Sequence, residues 1–165
     1  MADPTTIPDL QLEMFSQPRL LSAARAAVGN FAQRLGFNEV QCGQISLSID
    51  EALCNVIIHG YERHPDGRIW LKIWDTRSDP PGIRVVIEDR ARTVDPATIQ
   101  PRDLDDIRPG GLGVYIIREI MDQVIHEARE DGGMRLTLIK YVPRKKDALS
   151  TPHAPACGES EGKHG

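Results

Sequence analysis

The chain has few aromatic residues, no excess of basic charge and no long apolar run. Aromatics make up only 5% of its 165 residues, and 20 Lys and Arg against 24 Asp and Glu leave a net charge of −4. A nucleic-acid binder ordinarily carries a basic stripe or stacking aromatics, so that class is disfavoured and proteins or small molecules are the expected partners. Met1-Ala2-Asp3-Pro4-Thr5-Thr6 has neither the basic start nor the apolar segment of a secretory leader. No apolar run approaches the roughly 20 residues of a membrane span, so the expectation is a cytoplasmic protein that does not engage the membrane. Cysteine is scarce too: Cys42, Cys54 and Cys157 have no ligand spacing, and an odd count suits a reducing compartment. Cys42 and Cys54 fall on one predicted helix, which holds them roughly 18 Å apart and forbids a bridge; both read as packing residues.

What is present fits one domain with a single sizeable core. Leu10-Gln11-Leu12-Glu13-Met14 alternates apolar and polar and predicts a half-buried strand ending near Ser16. Ser16 is placed to cap a helix with Pro18 in its first turn, and Leu20, Leu21, Ala24, Ala27, Val28, Phe31 and Leu35 share one stripe up to Gly36. Asn38 and Gln41 have the form of a capping box, opening a second helix through Ile45, Ile49, Ala52, Leu53, Val56 and Ile57 to about His59, with Gly60 as its stop. Arg68 to Trp74 and Gly82 to Glu88 are β-branched segments across a turn-rich loop. From Asp89 to Gly111 the chain carries Pro96, Pro101 and Pro109 and little apolar periodicity, and a loop of that length in a compact domain is usually functional. A third helix covers Leu112 to Met121, and a second hairpin joins Val124 to Ala128 with Arg135 to Tyr141 around Asp131-Gly132-Gly133. The resulting divisions are a flexible start over 1–9, a folded domain over 10–143 and a disordered tail over 144–165, which is rich in Ser, Pro, Gly and Ala. The order of elements predicts an α/β sandwich of the α+β class, a mainly antiparallel mixed sheet with helices on one face.

Two constellations carry the chemistry. Glu51 and Asn55 lie four residues apart on one helical face. Taken alone they fit the solvated edge of an amphipathic helix, yet an amide oxygen is also a hard ligand for Mg²⁺ and a carboxylate can take a proton from a hydroxyl. His59 extends the same side and is given no catalytic role. Gly110-Gly111-Leu112-Gly113 then feeds an apolar helix, where unpaired backbone N–H groups can meet an anion. It is not a Walker A loop, because no Gly-Lys-Ser/Thr follows, and the dinucleotide fingerprint fails because Ile116 holds its third glycine position. Arg108 stands within reach of a phosphate bound there and equally suits a solvated loop. Asp89, where a strand runs out, fits a turn former or an acceptor for the exocyclic amine of adenine.

In this order the pieces resemble the Bergerat-fold ATP-binding domains of the GHKL superfamily, most closely the small bacterial anti-sigma-factor serine/threonine kinases of the stress-response and sporulation type. The resemblance runs from about Leu10 to Tyr141. Asp50-Glu51-Ala52-Leu53-Cys54-Asn55-Val56-Ile57-Ile58-His59-Gly60-Tyr61 matches the N box, Val86-Ile87-Glu88-Asp89 with Val94-Asp95-Pro96 the adenine segment, and Gly110-Gly111-Leu112-Gly113-Val114 the glycine end of the lid. It implies ATP bound under a lid, Mg²⁺ held through Asn55, Glu51 as the base toward a serine hydroxyl, and Asp89 reading adenine. Arg108, Gly110, Gly111, Leu112 and Gly113 would serve the phosphates. The implied partners are a STAS-domain anti-sigma-factor antagonist as substrate, a sigma factor as competitor, and a second copy of the chain in a homodimer. The family pattern has glycine two residues after the adenine-reading Asp, whereas this chain has Ala91 followed by Arg92. A Cβ is unwelcome there if the position needs positive φ or close backbone approach to the base, and nucleotide affinity is then reduced. That departure keeps open a second reading, a non-catalytic nucleotide-binding module that acts by association alone.

Overall fold

The computed structural model describes residues 7–99 and 112–144. The expectations placed on 1–6, on 145–165, and on Arg108, Gly110 and Gly111 lie outside the described residues. Five strands are formed: β1 (Leu10–Phe15), β2 (Arg68–Asp75), β3 (Gly82–Asp89), β4 (Gln123–Ala128) and β5 (Met134–Tyr141). They join in the order β1-β2-β3-β5-β4, and each of these pairings is antiparallel, so the mixed element anticipated in the sheet is not found among the described residues. Three helices, α1 (Leu21–Arg34), α2 (Glu39–Asn55) and α3 (Leu112–Ile120), accompany the sheet. No helix among the described residues is long and apolar enough to cross a membrane.

Strict alternation decides which face of the sheet the helices cover. Lateral rows such as Leu10, Ile73, Val85, Leu138 and Val124, or Leu12, Leu71, Ile87 and Leu136, bring apolar side chains of successive strands into line. These pack with Ala24, Val28 and Ala32 of α1, Ile45, Ile49, Ala52 and Leu53 of α2, and Ile117 of α3 in one core. At roughly 25 cal/mol per Å² of apolar surface removed from water, that layer supplies the main drive for folding.

The helix boundaries follow local chemistry. Asn38 caps α2, its side chain accepting from the Gln41 N–H while the Gln41 side chain accepts from the Asn38 N–H, the expected capping box. Gly36, at φ 97°, turns the chain after α1 as expected. Ser16 does not cap the first helix. Its hydroxyl donates to the carbonyl of His64 and accepts from the N–H of Gly67, pinning the turn before β2 to the end of β1. The short 3₁₀ turn Pro18–Leu20 that leads into α1 has no side-chain cap. Beyond Asn55, α2 loosens into a π-helical turn, Val56–Gly60. Cys42 and Cys54 are free thiols, and burial raises both above the usual thiol value, with the charges of Glu51 and Asp50 adding to the effect at Cys54.

The opposite face of the sheet holds a charged ladder. Glu88 is only 6% exposed and accepts from Lys72 and Arg135, at 2.7 Å each. Burial by itself raises its carboxyl, but the hydrogen bonds and charges of Lys72 and Arg135 outweigh that, so it lies below the usual glutamate value. A carboxyl lowered on folding contributes stability above its unfolded value of about 4.3 and loses that contribution as pH falls through the folded value. Urea denaturation should therefore show a stability step on acidification below about pH 4. Glu88→Gln should remove the step and cost about 1–3 kcal/mol at neutral pH. An unchanged acid limb in the variant would assign the step to other carboxylates.

Candidate functional site

Where α2 and its π-helical turn diverge from the C-terminal end of β3, a cleft of about 370 Å³ opens. Ala52, Asn55, Val56, His59 and Gly60 line its helical side, and Ile87, Asp89, Met134 and Leu136 its sheet side. Arg92, Val94 and Ile99 flank it from the loop after β3, and Gly113, Val114 and Ile117 from α3. The size is that of a small-molecule site, and an apolar lining with a few polar groups is the usual character of one. A π-turn inserts one residue more per turn than an α-helix, and here it falls on the stretch that presents Val56, His59 and Gly60 to the cleft.

Asp89 is the most constrained polar group in the site. It continues the inward series Ile83, Val85, Ile87 of β3 and pairs laterally with Ile69, which places a carboxylate where the pattern calls for an apolar side chain. It is 4% exposed. Its Oδ1 accepts from the N–H of Ala91 at 2.8 Å and of Met134 at 3.3 Å, and its carbonyl accepts from Arg129 at 2.9 Å. Burial pushes the carboxyl above the usual aspartate value, against the pull of those two N–H groups and of the Arg129 charge. With Oδ1 occupied by backbone donors, Oδ2 remains as the acceptor for a donor group entering the cleft.

The tight fit at Asp89 comes from the turn between β4 and β5. Gly133 lies at φ 87°, and a Cβ there would sit 2.7 Å from Arg90 Cα and collide with the Asp89 carbonyl. Its N–H donates to Thr93 Oγ1 at 3.1 Å. Arg129 also pairs with Asp131 at 2.8 Å and stands 5.8 Å from the Trp70 ring centroid. Gly133, Thr93 and Arg129 were not among the site residues expected from sequence; the available signal was the Gly132-Gly133 pair, read there only as a hairpin turn. His126 was missed as well. It faces inward beside Leu136, lines the cleft, and is held below the usual histidine value by burial and by the neighbouring charge of Arg118. Arg118 in turn donates to the Ile99 carbonyl at 3.1 Å, tying the loop to the last turn of α3.

The remaining expected residues divide between the cleft and its rim. Asn55 lines the cleft. Glu51, one turn earlier, is half-buried and lies against the start of α3, so that a Cβ at Gly113 would come 2.6 Å from Glu51 Oε2. A carboxylate beside the first turn of a helix is stabilised by the unpaired N–H groups there. Leu112 is 60% exposed and does not line the cleft. Asp50 is drawn away to α1, where Arg25 pairs with its Oδ2 at 2.6 Å. Ala91 does not adopt positive φ; among the described residues the non-glycine positions that do are Glu62, Arg63 and Arg77. Room for its Cβ comes from Gly60, where an added Cβ would meet it at 2.9 Å. Asn55 brings a carboxamide oxygen, a hard donor suited to Mg²⁺, to the cleft, and no cluster of three or more His, Cys, Asp or Glu able to hold a metal exists among the described residues. That donor set fits a cation carried mainly by ligand phosphates, the common arrangement for Mg²⁺.

A family model described as the histidine kinase-like ATPase domain matches residues 14–140. The serine-protein kinase RsbW of Listeria monocytogenes serotype 4a (strain HCC23) is 24% identical over 143 residues, spanning 83% of this chain and 89% of that protein. Its namesake from Bacillus subtilis (strain 168) is 21% identical over 144 residues, spanning 81% and 85%. Among solved structures, the mycobacterial sensor histidine kinase MprB aligns with a TM-score of 0.46 at 14% identity, over 79% of this chain and 96% of that one.

The contact between the β4–β5 turn and Asp89 can be tested directly. Gly133→Ala should destabilise the protein by about 1–3 kcal/mol, from the strained φ and the collision with the Asp89 backbone. Thermal unfolding measures the loss. A variant as stable as its parent would mean that the turn does not clamp the end of β3.

Proposed function

The chain belongs to the histidine kinase-like ATPase domain family, and from that premise we propose that it is an ATP-dependent serine/threonine protein kinase and anti-sigma factor. Its substrate is a STAS-domain anti-sigma-factor antagonist, and its competing partner is a sigma factor. The observation that carries this reading is the pairing of Asp89 and Asn55 on one apolar cleft, with Glu51 at its rim against α3. The relatives named as serine-protein kinases support a protein hydroxyl as acceptor. The family resemblance supports action as a homodimer and exclusive binding of the two partners, with phosphorylation of the antagonist weakening its complex.

In this mechanism Asp89 Oδ2 accepts from the amine on the adenine edge while Ile87, Met134 and Val56 exclude water around the base. Asn55 would hold Mg²⁺ through its amide oxygen, and the ion would neutralise charge on the phosphates. The first turn of α3, opened by Gly113, would meet the phosphates with unpaired N–H groups, and the family resemblance assigns Arg108, Gly110 and Gly111 to the same phosphates. Glu51 takes the proton from the attacking serine hydroxyl as the new O–P bond forms, the bond to the γ-phosphorus breaks, and ADP departs with that electron pair. The alternative, a module acting by association alone, drew its support from Ala91. Ala91 is not at positive φ and its Cβ is accommodated beside Gly60, which supports the kinase reading over that alternative.

Two substitutions separate the roles. Asn55→Ala should weaken Mg²⁺-dependent ATP binding without unfolding the protein, because the side chain lines the cleft and lies outside the core; equal calorimetric affinities with Mg²⁺ present would remove Asn55 from the site. Glu51→Gln should keep ATP binding and lose phosphotransfer by roughly 10² to 10⁴. Transfer of labelled phosphate to a STAS-domain partner at the parental rate would make Glu51 a structural residue.

A further inference from the structure

The loop that leaves β3 holds an arginine between two anchored neighbours. Ala91 is tied by its N–H to Asp89 Oδ1 at 2.8 Å and packs against Gly60. Thr93 is tied through its hydroxyl, which accepts from the Gly133 N–H at 3.1 Å. Arg92 stands between them, exposed and lining the cleft, and forms no hydrogen bond or ion pair with another described residue. Its backbone is thus fixed by contacts that its own side chain does not make, and the guanidinium is left to the cleft.

We propose that Arg92 is a base-binding residue, its guanidinium lying flat on the outward face of the purine whose edge meets Asp89. The inference rests on the reading of the cleft as an ATP site. A guanidinium is planar, delocalised and weakly hydrated, which suits it to stacking on an aromatic face as a point-like ammonium is not suited. Its neighbours on this side of the cleft, Val94 and Ile99, are apolar, so a base seated there lies beside apolar surface with the cation over its face. Among the described cleft-lining residues Asp89 is the single acid, its Oδ1 is taken by Ala91 and Met134, and Arg92 forms no ion pair with it. Arg92 follows Asp89 by three residues and so belongs to the base end of the cleft, whereas Gly113 and the first turn of α3 mark the phosphate end.

The test is a calorimetric titration of the full chain with adenosine, ADP and ATP, repeated with Arg92→Ala and Arg92→Tyr. The position is exposed and outside the core, and circular dichroism verifies that each variant is folded. Stacking on the base predicts that Arg92→Ala weakens all three ligands by the same factor, roughly 2- to 30-fold, and that Arg92→Tyr, planar but uncharged, restores most of the loss. Weakening of ADP and ATP with adenosine unchanged would make Arg92 a phosphate ligand and overturn the inference. So would unchanged or tighter binding in Arg92→Ala, or failure of Arg92→Tyr to rescue. A parent protein that binds none of the three ligands would instead overturn the ATP reading itself.

Discussion

A carboxylate buried at the end of a central strand costs several kcal/mol unless hydrogen bonds replace its water, and the local structure around Asp89 is organised by that requirement. Two backbone N–H groups from different segments, Ala91 and Met134, converge on the same oxygen. Met134 can reach it only because Gly133 lets the β4–β5 turn press against the Asp89 backbone. The order β3-β5-β4 then has a local purpose, since it sets the start of β5 beside the end of β3. An apolar residue at position 89 would need none of this apparatus. The arrangement is therefore best understood as holding one carboxylate oxygen fixed so that the other stays free.

The same contacts join the two faces of the sheet. Arg129 donates to the Asp89 carbonyl, pairs with Asp131, and shares the flank of Trp70 with Arg90, whose guanidinium lies 5.6 Å from the ring centroid. Trp70 points to the face without helices and stands between Glu13 and Glu88 in its lateral row. The Trp70 ring, the Arg129 guanidinium and the carbonyl of Asp89 thus lie in sequence from that open face to the cleft.

The features legible in the sequence were those set by local rules. The capping box at Asn38 and Gln41, the turn at Gly36, and the alternation that separates Ile83, Val85 and Ile87 from Arg84 and Val86 all depend on near neighbours, and the structure contains each of them. Asp89 was legible as the carboxylate where a strand runs out, and it is the last residue of β3. Ser16 was misread because a cap and a tertiary anchor require the same hydroxyl; its partners, His64 and Gly67, are 48 and 51 residues away. His126 and Gly133 were passed over because their significance lies in what the sheet order places beside them, and strand order is not written in any one segment. Ala91 departs from a glycine pattern, and residue type alone does not give its backbone conformation, which the structure sets outside the positive-φ region with the Cβ beside Gly60.

What gives α2 its central position is that one helix presents different residues to three environments. Ile45, Ile49 and Leu53 face the core, Asn55 faces the cleft after the last α-helical turn, and Glu51 stands between cleft and surface beside Gly113. A rigid helix fixes Glu51 and Asn55 one turn apart, so the carboxylate at the rim and the carboxamide inside keep their separation without further support. The π-helical turn that follows alters the helix only after both residues have been set; it carries Val56, His59 and Gly60 of the cleft lining and leaves the spacing of Glu51 and Asn55 intact. Had the distortion begun a turn earlier, the two side chains would no longer share a face, and the chemistry proposed for them would lack its geometry.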